Sequence, residues 1–120
     1  MIQAQDYLDF ARSLPRNNET DDRVCIGRAY YAAMHKALEY AVKDGYQYDH
    51  KEAGGTHSNL IFYFEQQGGE ALLVVADLLK KLKRKRTQAD YRLDRNIYSN
   101  ETVQALKRAE NIFNIFNELE

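Results

Sequence analysis

Apolar residues recur along this chain at steps of three and four, the spacing of helices with one buried stripe, rather than at the alternation of strands. Ile2, Tyr7, Phe10, Ala11 and Leu14 predict a helix over Ile2–Leu14 that Pro15 ends. Arg16–Asp22 (RNNETDD) reads as a polar connector holding good N-cap residues. Its Glu19, Asp21 and Asp22 complement the positive end of the helix that follows. That next helix starts with the stretch Arg23–Tyr40, RVCIGRAYYAAMHKALEY, on which the rest of the chain is organised. Val24, Gly27, Tyr30, Tyr31, Met34, Ala37, Leu38 and Ala41 form its stripe, and Gly45 is a natural C-cap just past about Asp44. Ala29 and Ala33 fall on the expected wet side, with Ala32 between Arg28 and His35. Three alanines there let another helix or another subunit approach closely.

Tyr46–Gly55 (YQYDHKEAGG) carries no pattern and reads as a loop. Thr56 or Ser58 then caps a short helix through Leu60–Phe64. LIFYF alone fits a strand equally well, and its helical surroundings decide for helix. Gly68-Gly69 breaks it. Glu70–Tyr91 is a second long helix with Leu72, Val75, Leu78, Leu79, Leu82 and Ala89 inward. Tyr91–Tyr98 reads as a loop. Ser99 or Asn100 caps a last helix whose Val103, Leu106, Ala109, Phe113 and Phe116 form the stripe. The sum is an all-α single domain over residues 1–120: a four-helix bundle with a short additional helix.

Composition narrows the function classes. The 120 residues suffice for a core without staples, and 44% hydrophobic with 29% charged residues is the balance of a soluble globular protein. No apolar run approaches the roughly 20 residues of a spanning helix, and MIQAQDYLDF lacks the features of a signal peptide, so no membrane association is expected. The one cysteine, Cys25, suits a reducing cytoplasm. With three scattered histidines it makes no metal-ligand spacing, so neither a metal nor another cofactor is expected. Net charge is −1, but six of the seven positions from Lys80 to Arg86 are basic.

Three places could carry chemistry. Arg28 and His35 stand seven residues apart, almost two turns, so they share a face about 10 Å apart along the axis. An Arg holds a phosphate bidentately, and a His exchanges a proton with a ribose 2′-hydroxyl or a leaving oxygen. The plainer alternative pairs Arg28 with a carboxylate such as Glu39 and makes His35 an interface histidine. The second place is RTQADYR at 86–92, where Arg84, Lys85, Arg86, Asp90 and Tyr91 could bind an RNA backbone. On a helix, however, those cations point all round, and Arg86 with Asp90 makes an ordinary intrahelical ion pair. The third is His57 in GGTHSN, either beside an anion at a helix N-terminus or a surface histidine near a cap. Of the nine tyrosines, Tyr30, Tyr31, Tyr46, Tyr48, Tyr91 and Tyr98 are candidates to stack on bases, or core residues with polar tips.

Three pieces together, RAYYAAMHKALEYA at 28–41, THSNLIFYF at 56–64 and RTQADYRLD at 86–94, resemble the HEPN family, small bacterial and archaeal members especially. The resemblance implies an up-and-down four-to-five-helix bundle that forms a homodimer through long helices. It also implies service in toxin–antitoxin, phage-defence or CRISPR-linked systems, often beside a minimal nucleotidyltransferase as antitoxin partner. Active HEPN ribonucleases carry an Arg and, after four to six residues, a His, with a polar residue just after the Arg. Arg28 and His35 match with six residues between, and Ala29 departs from the polar position. Where many active members place the motif on a later helix, this chain has Asp90 and Tyr91. The expected function is a metal-independent endoribonuclease acting on RNA, with DNA not expected. Arg28 and His35 would be its catalytic residues, and Arg84, Lys85, Arg86, Asp90 and Tyr91 its binding residues. The alternatives are a non-catalytic nucleotide- or partner-binding module and a plain dimerising bundle.

Overall fold

The computed structural model describes residues 1–47 and 55–120, which are all-α, with no strand among the described residues. Five helices follow in order: α1 (Ala4–Ser13), α2 (Glu19–Lys43), α3 (Thr56–Gln67), α4 (Glu70–Tyr91) and α5 (Ser99–Leu119). LIFYF lies within α3, so the helical reading of that run holds. Most of the expected Tyr46–Gly55 loop, Tyr48 included, lies outside the described residues. No helix among the described residues is long and apolar enough to cross a membrane.

Helix α2 is the centre, touching each of the other four. The side expected to be wet is covered: Ala29, Ala32 and Ala33 are fully buried, as are Ala37 and Ala41, and the exposed edge runs instead through Val24, Arg28, His35 and Glu39. Methyl side chains let neighbouring helix axes come within about 8–10 Å, and the neighbours that use this room belong to the same chain. Val24 in α2 and Val103 in α5, expected in the buried stripes, stand at exposed margins instead.

Helix α1 keeps the predicted spacing, with Ala11 buried and Tyr7 and Leu14 packed against the core, but Ile2 and Phe10 point outward. Ala4, Leu8 and Ala11 are buried, whereas Ile2 is 70% and Phe10 50% exposed. Periodicity fixes the interval between core positions. The choice between two apolar edges is made by docking, and α1 turns its small alanines inward. Leu14 is extended, as a residue before proline must be, and the helix stops at Ser13.

Helix α2 begins at Glu19 rather than Arg23. Asn18 caps it, its Oδ1 accepting from the Asp21 N–H at 2.9 Å. The connector's acidic residues thus occupy the first turn, where the helix dipole acts on them most strongly. At the other end Gly45, at φ +102°, turns the chain, and its N–H reaches Val42 O while Tyr46 N–H reaches Ala41 O. That pattern satisfies two terminal carbonyls and needs a left-handed residue. Two other caps fall one place earlier than Thr56 or Ser58 and Ser99 or Asn100. Gly55 precedes α3, and Tyr98 precedes α5 with its N–H donating to Glu101 Oε2 at 2.8 Å.

One polar cluster fixes α4 against the centre and a second ties α5 to α4. The Arg23 guanidinium donates to the carbonyls of Gln88, Ala89, Arg92 and Arg95 and pairs with Glu19 at 2.9 Å. It closes the C-terminal end of α4, whose last carbonyls have no helical partner. Glu101, 8% exposed, accepts from Lys85 Nζ and Arg95 Nη2, each at 2.7 Å. Burial would raise its carboxyl. The hydrogen bonds from Arg95, Lys85 and the Tyr98 N–H outweigh burial and hold it down to about 2.

Arg23→Ala removes a charged donor from four carbonyls, of which Gln88 O and Arg92 O keep a backbone N–H, and is expected to cost about 2–3 kcal/mol in urea unfolding. Glu101→Gln leaves two cations without their carboxylate and is expected to cost about 2–3 kcal/mol at neutral pH. The stabilisation from Glu101 is present above the ordinary carboxylate range and drains away as pH falls toward about 2. The variant's deficit in a pH series of melting curves should therefore shrink between about pH 5 and pH 2.

Candidate functional site

Tyr30 and Tyr31 are consecutive on α2 and so point about 100° apart. Tyr30 runs into the core, fully buried, and Tyr31 stays at the rim, half-buried. Arg86 on α4 faces both, its guanidinium carbon 5.9 Å from the Tyr30 ring centre and 5.4 Å from that of Tyr31. A third ring, Tyr91, lies 5.6 Å away. Arg86 Nη2 donates to Tyr31 Oη at 2.7 Å. Its Nε stands 3.0 Å from Asp90 Oδ2, an ion-pair contact whose angle falls short of a hydrogen bond. One carboxylate and three aromatic faces hold this cation in a single orientation.

His57, at the start of α3, completes the group. Its Nδ1 lies 2.7 Å from Tyr30 Oη. Burial lowers the imidazole's proton affinity, and Lys83, Arg86 and His35 lower it further by like charge. His57 is thus neutral at pH 7. Burial also pushes the Tyr30 phenol well above its ordinary value, so the phenol keeps its proton. A protonated phenol against a neutral imidazole donates to Nδ1, which leaves the ring proton on Nε2.

His57 and His35 line one small cleft between α2 and α3, with Tyr31, Met34, Leu38, Tyr46, Thr56 and Leu60. Its free space is about 70 Å³. His35 stacks flat on Tyr7 of α1, with ring centres 4.7 Å apart and planes 9° apart, and remains exposed at the cleft mouth. Arg28 lines the neighbouring cleft, about 150 Å³, with Val24, Gly27, Tyr31 and Asp90. Tyr31 is the wall between the two. Within one chain, Arg28 and His35 are both exposed but face separate clefts. Glu39, weighed as a partner for Arg28, instead accepts from the Ala4 N–H at 3.1 Å.

The predicted binding residues divide into three groups. Arg86, Asp90 and Tyr91 gather with Arg28 where α4 crosses α2. Lys85 turns to Glu101, where it holds α5 rather than facing a cleft. Arg84 faces a different groove, between α3 and α4, with Lys80 and Lys83. The basic run is therefore dispersed around α4, as helical geometry implies. Tyr46 packs on Tyr63 with ring centres 4.9 Å apart, and Tyr91 and Tyr98 are exposed. Cys25 is buried, its thiol donating to Ala11 O and raised by burial, so it is an inert core residue. Among the described residues no three His, Cys, Asp or Glu side chains converge as a metal site needs.

The residue that sequence reasoning undervalued is His57. Its local surroundings are those of a surface cap, and only the packing of α3 against α2 brings it to Tyr30. In a pH series of NMR spectra its ring signals should inflect below the ordinary histidine value. Nitrogen shifts should show the proton on Nε2. Tyr30→Phe should remove that tautomer preference while leaving His35 unchanged. A His57 inflection at or above the ordinary value would mean that the imidazole is not desolvated in this cluster.

No family model, curated protein or solved structure matches this chain.

Proposed function

We propose that the chain is a HEPN-type helical module that acts as a metal-independent endoribonuclease on single-stranded RNA. It works as a homodimer in the cytoplasm, in a toxin–antitoxin or phage-defence setting beside a nucleotidyltransferase partner. The observation that carries this reading is the cleft shared by His35, His57 and Tyr31, with the cations Arg86 and Lys83 close enough to depress His57. Two imidazoles and fixed positive charge around one opening suit a phosphodiester better than a neutral metabolite.

In the proposed reaction His35 takes the proton of a ribose 2′-hydroxyl, and that oxygen attacks the adjacent phosphorus. The 5′-oxygen leaves and takes the proton back from His35, giving a 2′,3′-cyclic phosphate and a 5′-hydroxyl. Arg28 neutralises a non-bridging oxygen of the phosphate, and the His57 Nε2–H donates to the other. Because Arg28 and His35 face separate clefts within one chain, the scissile phosphate must straddle Tyr31. The alternative is that Arg28 of one protomer serves His35 of its partner.

A second reading, a non-catalytic nucleotide- or partner-binding module, draws support from Arg86. Its guanidinium is already held by a hydrogen bond to Tyr31 and an ion pair with Asp90, as in a site that recognises without reacting.

Cleavage of a mixed single-stranded RNA with EDTA present separates the two. The parent is expected to release fragments ending in 2′,3′-cyclic phosphate. His35→Ala should slow this by at least about 100-fold and Arg28→Ala by about 10- to 100-fold, with folding and mass in solution unchanged. An inert parent at high enzyme concentration moves the reading to the binding module. Cleavage that survives both substitutions refutes the assignment of Arg28 and His35.

A further inference from the structure

A groove of about 610 Å³ lies between α3 and α4, ample for a base with its sugar. Ile61, buried, forms its floor, and Phe62 stands on its edge with 58% of its surface exposed and no ring of the described residues stacked on it. Three cations of α4 face it. Lys80 is neutralised by Glu65 at 2.7 Å. Lys83 bonds only a neutral hydroxyl, Ser58 Oγ, at 2.7 Å, and Arg84 has no partner among the described residues. The walls thus carry two uncompensated positive charges beside a free phenyl ring.

The groove also leads to the candidate cleavage site. Ser58 and Lys83 belong equally to a smaller cleft of about 260 Å³ whose other walls are Thr56 and His57. His57 in turn lines the opening that contains His35. A backbone lying over Lys83 therefore passes beside His57 without crossing an apolar barrier.

From this juxtaposition we propose that the α3–α4 groove is a track for single-stranded RNA. A base stacks on Phe62, and the adjoining phosphates lie against Lys83 and Arg84. This rests on the RNA reading above and extends it by naming where the strand outside the cleft is held. The pairing of an exposed aromatic face with cations spaced along a helix is how sequence-tolerant sites hold unpaired strands. A second copy docking here by symmetry would bring like charges face to face.

The test uses the full chain and a fluorescein-labelled 12-nucleotide RNA with 2′-O-methyl riboses, which cannot be cleaved. Binding is followed by anisotropy over a range of salt. Phe62→Ala should weaken binding about tenfold, whereas Phe62→Tyr should restore it. Lys83→Gln with Arg84→Gln should reduce the slope of log affinity against log salt by about 1.4, or about 0.7 for each phosphate no longer neutralised. Lys81→Gln, whose lysine pairs with Asp77 at 3.0 Å, should bind as the parent does. Phe62 is exposed, so its substitution leaves the core intact, and circular dichroism with sedimentation confirms fold and mass.

Parent-like binding by Phe62→Ala and by the double variant refutes the track while leaving the cleavage reading standing, provided the parent still binds. A fall in mass for Phe62→Ala identifies the groove as an interface between copies and overturns the proposal. A parent that binds no oligonucleotide at all defeats both the track and the RNA reading.

Discussion

A 25-residue helix that touches all four others keeps only one narrow solvated edge, through Val24, Arg28, His35, Glu39 and Val42, on which to place its polar groups. That constraint shapes the protein. Helix α2 meets it first with small side chains, since alanines at 29, 32, 33, 37 and 41 fill little space and leave room for close neighbours. It meets it also with polar side chains that each reach a different element. The Cys25 thiol donates to Ala11 O of α1, and Asp22 Oδ1 accepts from Thr102 Oγ1 of α5 at 2.8 Å. Arg23 closes the end of α4, and Tyr30 meets His57 of α3. A polar group left alone in such surroundings costs about 1–3 kcal/mol, so these ties select one arrangement of helices over near alternatives.

The candidate site grows from the same ties. Arg23 fixes the C-terminal end of α4 and thereby the position of Arg86, Asp90 and Tyr91. Tyr30 fixes the first turn of α3 and thereby the ring of His57. Tyr31, next in sequence to Tyr30 but turned outward, stands where these two anchored ends approach each other. The cleft is therefore bounded by groups whose positions are set by buried hydrogen bonds, while His35 at its mouth, stacked on Tyr7, and Arg28 in the neighbouring cleft are exposed to a ligand. Rigid supports with exposed reactive groups are what preorganised binding of an anion requires.

The charge arrangement follows a similar division. Of the basic residues on α4, Lys85 is bound to a buried carboxylate, Arg86 to aromatic rings and Asp90, and Lys81 to Asp77. Lys83 and Arg84 keep their charge for solvent or for a ligand. A run that looks like one basic patch is, in space, several separate functions of one helix.

The sequence by itself determined the class and the punctuation of this protein. Three- and four-residue spacing marked every helix, and Pro15, Gly45 and Gly68-Gly69 marked where three of them stop. These are short-range effects of backbone geometry and of which side chains share a face. That Arg28 and His35 lie along one edge of the α2 stripe was legible for the same reason. Only the tertiary structure decided which edge of α1 is buried and what covers the alanines of α2. It alone decided which of the α4 cations have partners and that His57 belongs with Tyr30. Those outcomes depend on side chains far apart in the chain, 27 residues apart for Tyr30 and His57 and 80 for Asp22 and Thr102. No local pattern encodes such pairings. They exist once the helices dock, and docking is chosen by shape and buried polar partners together.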